Sequence, residues 1–337
     1  MEDLLNITNL KTHFFTKRGV VPAIDGISIS IPKSSIVGVV GESGCGKSIT
    51  AMSIMQLVQK PGKIVQGNIE LDGENLLTYS KEQMLNVRGN KISMIFQEPM
   101  TALNPVYTVG KQVSEAITIH HKDIKKEEAK QKVIDIFRAV GIPEPEKRYN
   151  SYPHQLSGGL RQRVMIGMAM VCNPELMIAD EPTTALDVTI EAQILMLMKK
   201  LQKERDTSIL LITHNLGVVA EICDYVYVMY AGKVMEQANT FELFRNTSHP
   251  YTDGLMKSIP KITAEKQRLY NIKGMVPNLM KLPKGCRFCP RCEKAIPKCF
   301  VEEPLLYKVP ADDNSMGDHF VRCFLHENSE VKENEQP

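Results

Sequence analysis

An excess of charge of either sign is missing from this sequence: 41 basic residues against 39 acidic ones leave a formal net charge of +2 over 337 residues. That balance argues against a surface made basic for nucleic acid, although a neutral total leaves room for a local patch. Long apolar runs are missing too. The longest candidate, Val164 to Cys172, is nine residues with a glycine inside. It falls short of the ~18 residues needed to span a bilayer and reads as a buried helix. Met1-Glu2-Asp3-Leu4-Leu5-Asn6 carries neither the basic nor the apolar region of a secretory signal. The expectation is a cytosolic chain whose thiols stay reduced unless a metal holds them. Membrane attachment would then come through a partner. No internal repeat is found.

What is present suits a globular protein with a real core: 43% hydrophobic and 24% charged residues. The length predicts roughly two domains at ~150 residues each. Residues 23–31 alternate apolar and polar, the period of a half-buried strand, and Ile36-Val37-Gly38-Val39-Val40 is a continuous run typical of a strand covered on both faces. Similar runs at Leu176–Ala179 and Ile209–Ile212 each sit beside a helical stretch, the alternation of an α/β parallel sheet. Tyr225–Met229 and Lys233–Glu236, joined through Ala231-Gly232, predict a hairpin. Between about 106 and 156 the pattern turns helical: Val133, Ile136, Phe137 and Val140 make one apolar face on a charged helix. After 245 prolines recur, which predicts a loop-rich region, and Asn328 to Pro337 is polar enough to be disordered.

Gly41-Glu42-Ser43-Gly44-Cys45-Gly46-Lys47-Ser48 fits G-x-x-x-x-G-K-[ST], after a strand-like run and before a helix-like one, Ile49 to Val58. Glycines let backbone N–H groups curl around phosphate oxygens, and the helix start adds a favourable dipole. Lys47 reaches the β- and γ-phosphates and the Ser48 hydroxyl suits Mg²⁺. Cys45 fills a variable position. Downstream, Leu176–Ala179 runs into Asp180-Glu181: a buried strand ending in a carboxylate supplies the second Mg²⁺ contact, and the next glutamate suits a general base.

Leu156-Ser157-Gly158-Gly159-Leu160-Arg161-Gln162-Arg163, shortly before that pair, resembles the signature motif of ABC-transporter ATPases. Phe96-Gln97-Glu98-Pro99 resembles the Q-loop, Ala185-Leu186-Asp187 the D-loop, and Ile212-Thr213-His214 the switch histidine of that family. The resemblance implies an α/β P-loop NTPase fold with a RecA-like core, an antiparallel β subdomain, a helical subdomain and a loop-rich C-terminal extension. Its boundaries would be 1–105 and 157–240 for the core, 106–156 for the helical part, 241–327 for the extension and 328–337 for the tail. It also implies roles. Gln97 touches Mg²⁺ and the attacking water, Glu181 polarises that water, and His214 contacts the γ-phosphate. Phe14 stacks on adenine, with Phe15 as the neighbouring candidate. Ser157, Gly158 and Gly159 close on the ATP held by the opposite subunit, and residues 41–49 (Gly41, Ser43, Gly44, Cys45, Gly46, Lys47, Ser48, Ile49) line the nucleotide.

Phe96 through Pro105, His249-Pro250-Tyr251-Thr252 and the cysteine-rich end narrow the resemblance to the dipeptide/oligopeptide and nickel importers. That implies ATP hydrolysis on the cytoplasmic face of the membrane, driving peptide uptake, with nickel as the alternative cargo. The implied partners are a second ATPase, a paralogue, two transmembrane permeases and an extracytoplasmic binding protein. A soluble ABC ATPase acting on nucleic acid is the rival, disfavoured by the neutral charge and the lack of a long coiled coil.

Five of eight cysteines lie between Cys286 and Cys323. Close thiolates in a reducing compartment suggest a soft metal, Zn²⁺ or iron–sulfur, and spacing leaves both open beside free thiols. The family resemblance implies a [4Fe–4S] cluster on Cys286, Cys292, Cys299 and Cys323, with Cys289 an extra thiol that competes as a ligand. Cys172 and Cys223, in apolar surroundings, read as core residues.

Overall fold

Ile36-Val37-Gly38-Val39-Val40 forms a strand buried along its whole length, as a run of branched side chains without alternation requires. The computed structural model describes residues 2–97, 102–184, 186–259, 270–310 and 318–332. The chain divides into two compact units.

The first unit comprises Met1–Leu5, Ile31–Ile36 and Leu71–Ile212. Its sheet has strands Ile92–Ile95, Leu176–Asp180 and Ser208–Thr213 side by side and parallel, with Ile92 opposite Leu176 and Ile178 opposite Leu210. Helices Val109–His120, Lys126–Ala139 and Gly158–Met170 pack on one another. On the first, Val109, Val113 and Ile117 recur every fourth residue and are buried; on the second, Val133, Ile136 and Phe137 are. Val109–His120 and Lys126–Ala139 both fall within residues 106–156.

The second unit comprises Asn6–Ser30, Val37–Glu70 and Thr213–Pro337. Strands Asp3–Thr16 and Gly19–Pro32 lie side by side, and Gly62–Leu71 flanks the first. Two residues join the first pair, a span only an antiparallel hairpin can close. Strand Ile36–Val40 pairs parallel with Tyr225–Tyr230. That strand turns through Ala231 (φ 44) and Gly232 (φ 83) into Lys233–Asn239, the two positive φ angles of a type I′ hairpin. The sheet does not stop there. Val321 pairs with Glu236, and Tyr307 with Val321, so two-residue strands at Phe320–Val321 and Tyr307–Lys308 extend it from the cysteine-rich region.

Two expectations shift. The helix read from Ile49 to Val58 runs Lys47–Ile54. Gln56 at φ 49, with Gln56 N–H donating to Ser53 O and Leu57 N–H to Met52 O, closes it in the pattern of a left-handed helix cap. Of the tail read as disordered, residues 328–332 carry ordered backbone: Val331 bridges Tyr307, and Lys308 N–H donates to Glu330 O at 2.7 Å. Residues 333–337 lie outside the described residues.

Candidate nucleotide site and thiol pocket

In the second unit the buried strand Ile36–Val40 empties into Gly41, whose φ of 154 and surroundings tolerate no side chain: a Cβ would lie 2.1 Å from Met229 O. Gly46, at φ 110, caps helix Lys47–Ile54, and a Cβ there would lie 2.5 Å from Ala23 O. These two glycines let the loop wrap tightly onto the hairpin and the N-terminal sheet. Cys45 is buried beneath the loop, and its carbonyl accepts from Gly232 N–H at 2.9 Å. Ser43 and Gly44 face solvent. Lys47 is buried, its Nζ donating to Gly41 O at 2.8 Å and Glu42 O at 3.2 Å. Ser48 and Ile49 stand half-buried in the first helical turn, where backbone N–H groups have no acceptor one turn back. The loop thus brings together backbone N–H groups, a lysine and a hydroxyl, the chemistry that suits an anion.

Phe14 is half-buried beside Gly62, where a Cβ would lie 2.7 Å from its ring, while Phe15 is 49% exposed. His214 follows strand Ser208–Thr213 and is exposed; Asn215 next to it caps helix Leu216–Ile222.

In the first unit, Asp180 ends its strand fully buried, and Glu181 turns away at φ 48, a left-handed conformation unusual for a side-chain-bearing residue. Glu181 Oε2 accepts from Gln97 Nε2 at 3.2 Å and from Thr184 Oγ1 at 3.0 Å. Gln97, Asp180 and Glu181 are therefore gathered at one strand end. Thr184 was not singled out by motif reasoning, though its place three residues after Glu181 was a signal. Gln162 is buried and donates to Pro182 O, tying the signature helix to the same turn. Ser157 caps that helix, its Oγ accepting from Leu160 N–H at 3.4 Å, and remains exposed, with Gly158 and Gly159 half-exposed beside it. Glu98 to Thr101 of the Q-loop run and Ala185 of the D-loop run lie outside the described residues.

Cys286, Cys289, Cys292, Cys299 and Cys323 all line one pocket, closed by Phe288, Ile296, Pro304 and Phe324. Burial first, then the neighbouring sulfurs, pushes the Cys286 thiol up to about 12 and Cys323 up to about 11. Among the described residues no three His, Cys, Asp or Glu side chains are close enough to hold a single metal ion. Outside this pocket, Cys172 Sγ donates to Ala116 O at 3.5 Å and Cys223 is buried against Gly38.

A family model described as ABC transporter matches residues 24–184, and one described as the oligopeptide/dipeptide transporter C-terminal region matches residues 235–299. The chain is 52% identical over 328 residues to the oligopeptide transport ATP-binding protein AppD of Bacillus subtilis (strain 168), covering 97% of this chain and 98% of that protein. It belongs to the ABC-transporter ATP-binding family. This ABC ATPase is also 46% identical over 317 residues to the dipeptide transport ATP-binding protein DppD of Escherichia coli (strain K12), covering 94% and 96% of the two chains. Its fold matches that of a dimeric ATP-binding cassette in a post-hydrolysis state bound to ADP and Pi. That match has a TM-score of 0.63 and 25% identity, and it covers 70% of this chain and 98% of the other. Among the described residues of the ABC ATPase, no helix is long and apolar enough to cross a membrane.

Proposed function

We propose that this ABC ATPase powers uptake of di- and oligopeptides as the peripheral, cytoplasmic-face motor of a membrane importer. The observation that carries the peptide reading is the match of residues 235–299 to the oligopeptide/dipeptide C-terminal region, beyond the ATPase core. The named relatives transport oligopeptides and dipeptides, which favours peptide over nickel as cargo. A paralogous second ATPase, two permeases and an extracytoplasmic binding protein complete the assembly in this reading.

The chemistry follows from the residues. Lys47 and the N–H groups of residues 41–49 bind the phosphates of ATP, and Phe14 takes the adenine. Ser48, Gln97 and Asp180 would hold Mg²⁺, which would draw charge off the phosphate oxygens when bound. Glu181 accepts the proton of the water that attacks the γ-phosphorus as the bond to ADP breaks. His214 holds the γ-phosphate. Ser157, Gly158 and Gly159 serve the ATP bound by the partner ATPase, an arrangement supported by the dimeric form of the ADP-bound relative. Glu181→Gln is expected to retain ATP and nearly abolish phosphate release; full hydrolysis by that variant overturns the assignment of the base. Uptake of di- and oligopeptides and of nickel, compared in a deletion strain, tests the cargo.

In the thiol pocket, thiolate softness and the family resemblance favour a [4Fe–4S] cluster over zinc. Cys286, Cys292, Cys299 and Cys323 would hold it, Cys289 being the spare thiol on the same wall. Bound there, it would cross-link the loops of the extension. Anaerobic purification with iron and sulfide analysis tests this; protein without either, or with stoichiometric zinc, overturns it.

A further inference from the structure

The segment between Cys286 and Cys292 faces two ways. Its cysteines line the thiol pocket, while Arg287, Phe288 and Arg291 reach the nucleotide loop and the strands beneath it. Arg287 donates to Ala231 O and to Asp25. Phe288 stands edge-on to Tyr230 with ring centroids 5.3 Å apart, and meets Tyr251 at the same distance. Arg291, with only 5% of its side chain exposed, grips Glu42 with both ends of its fork: Nη1 to Oε2 at 2.6 Å and Nη2 to Oε1 at 3.0 Å. Its remaining donors are spoken for by Lys273 O at 3.0 Å, Ile272 O at 3.3 Å and Tyr230 OH at 3.3 Å. Tyr251, fully buried, accepts the Glu42 backbone N–H at 2.9 Å. So both the carboxylate and the N–H of Glu42, one residue into the phosphate loop, are held from the C-terminal extension.

The P-loop pattern leaves position 42 free, and an acidic side chain there stands beside a ligand of three or four negative charges. Arg291 neutralises that carboxylate, and its bidentate guanidinium holds it in one fixed geometry. We propose that Arg291, assisted by Tyr251, is a positioning residue for nucleotide binding, so that the phosphate site is complete only when the cysteine-rich extension is folded against it. An arginine lost here leaves an unpaired anion facing phosphate and frees the first turn of the loop, and both effects act on ATP affinity. This rests on residues 41–48 being the ATP phosphate site.

The test is MgATP binding by the full chain, measured by calorimetry. Arg291→Met is expected to raise Kd about tenfold, the scale of one charge-assisted contact. Adding Glu42→Gln to it is expected to restore most of that loss by removing the stranded charge, a rescue that a purely structural defect does not show. Arg322→Met is the comparison: Arg322 anchors the same extension on Val234 O and Pro304 O, and its Kd should rise less than that of Arg291→Met. An unchanged Kd in Arg291→Met, no rescue by Glu42→Gln, or an equal loss in Arg322→Met each overturns the proposal. If Arg291→Met does not fold, Arg291→Lys, which keeps the charge and loses the fork, carries the test with a smaller rise expected and an unchanged Kd against it. A parent chain that binds no MgATP overturns the phosphate-site assignment instead.

Discussion

Gln97 Nε2 donates to Glu181 Oε2 at 3.2 Å, across 84 residues of sequence, and the same oxygen accepts from Thr184 Oγ1 at 3.0 Å. Two donors on one carboxylate oxygen hold a side chain whose backbone sits at φ 48.

Removing one donor loosens the Glu181 carboxylate without deleting it. Thr184→Val is expected to lower kcat about tenfold, with ATP affinity near that of the parent. Gln97→Ala is expected to cost more, since Gln97 is also assigned to Mg²⁺. Steady-state phosphate release beside equilibrium ATP binding measures both. A Thr184→Val enzyme with full kcat refutes the orienting role.

Gly41→Ala places a Cβ 2.1 Å from the Met229 carbonyl, a backbone atom that cannot swing aside, at a φ that alanine rarely adopts. The loop or the hairpin must then move. A loss of about 2 kcal/mol or more in stability is expected, together with loss of ATP binding. Gly44→Ala is the comparison: nothing lies within 4 Å, so only its φ of 80 resists, and the cost should be smaller. Denaturant titration of the two variants ranks them.

His249 is buried at the start of helix Pro250–Lys257, its Nδ1 accepting from Tyr251 N–H at 3.0 Å. Burial pulls its pKa down to about 4, with Glu236 opposing and Arg322 and His326 contributing nearby. The unfolded chain takes up this proton near 6.5, and the folded chain resists until about 4. The stability held by neutral His249 is therefore complete above 6.5 and lost as pH falls through 4, about 3 kcal/mol in all. His249→Asn keeps a cap acceptor and removes the titration. Urea midpoints at pH 7 and pH 4.5 should differ less in the variant than in the parent, and equal differences argue against His249 as the source.

Thiols raised by burial act at the other end of the scale. In protein without bound metal, Cys286 and Cys323 keep their protons up to about 12 and 11, whereas the unfolded chain loses them near 9. Their contribution is full below 9 and disappears as pH rises through 11 to 12. Thermal unfolding of the stripped protein should therefore weaken between pH 9 and 11. Protein with the pocket loaded, its sulfurs already thiolates, should not show this dependence. Equal alkaline losses in both forms contradict it.

The phosphate loop was legible because its strand, glycines, lysine and helix start are neighbours in sequence, and local sterics fix what each must be. The Asp180–Glu181 strand end and the amphipathic helix at Lys126–Ala139 were legible for the same reason. Periodicity could not reveal strands of two residues, so Phe320–Val321 and Tyr307–Lys308 were invisible in a proline-rich stretch. It also overran the helix after Ile54, because the left-handed cap at Gln56 carries neither glycine nor asparagine.

The sequence by itself determined the residue types at the phosphate loop, the carboxylate pair at 180–181, and the clustering of five thiols. Each is a short-range pattern whose chemistry depends on adjacent positions. Only the tertiary structure decided which oxygen of Glu181 is held and by what, that Cys289 shares a pocket with the other four thiols, and that Arg291 closes on Glu42. Those pairings span from three to 249 residues, and packing rather than sequence proximity brings their atoms within hydrogen-bonding distance.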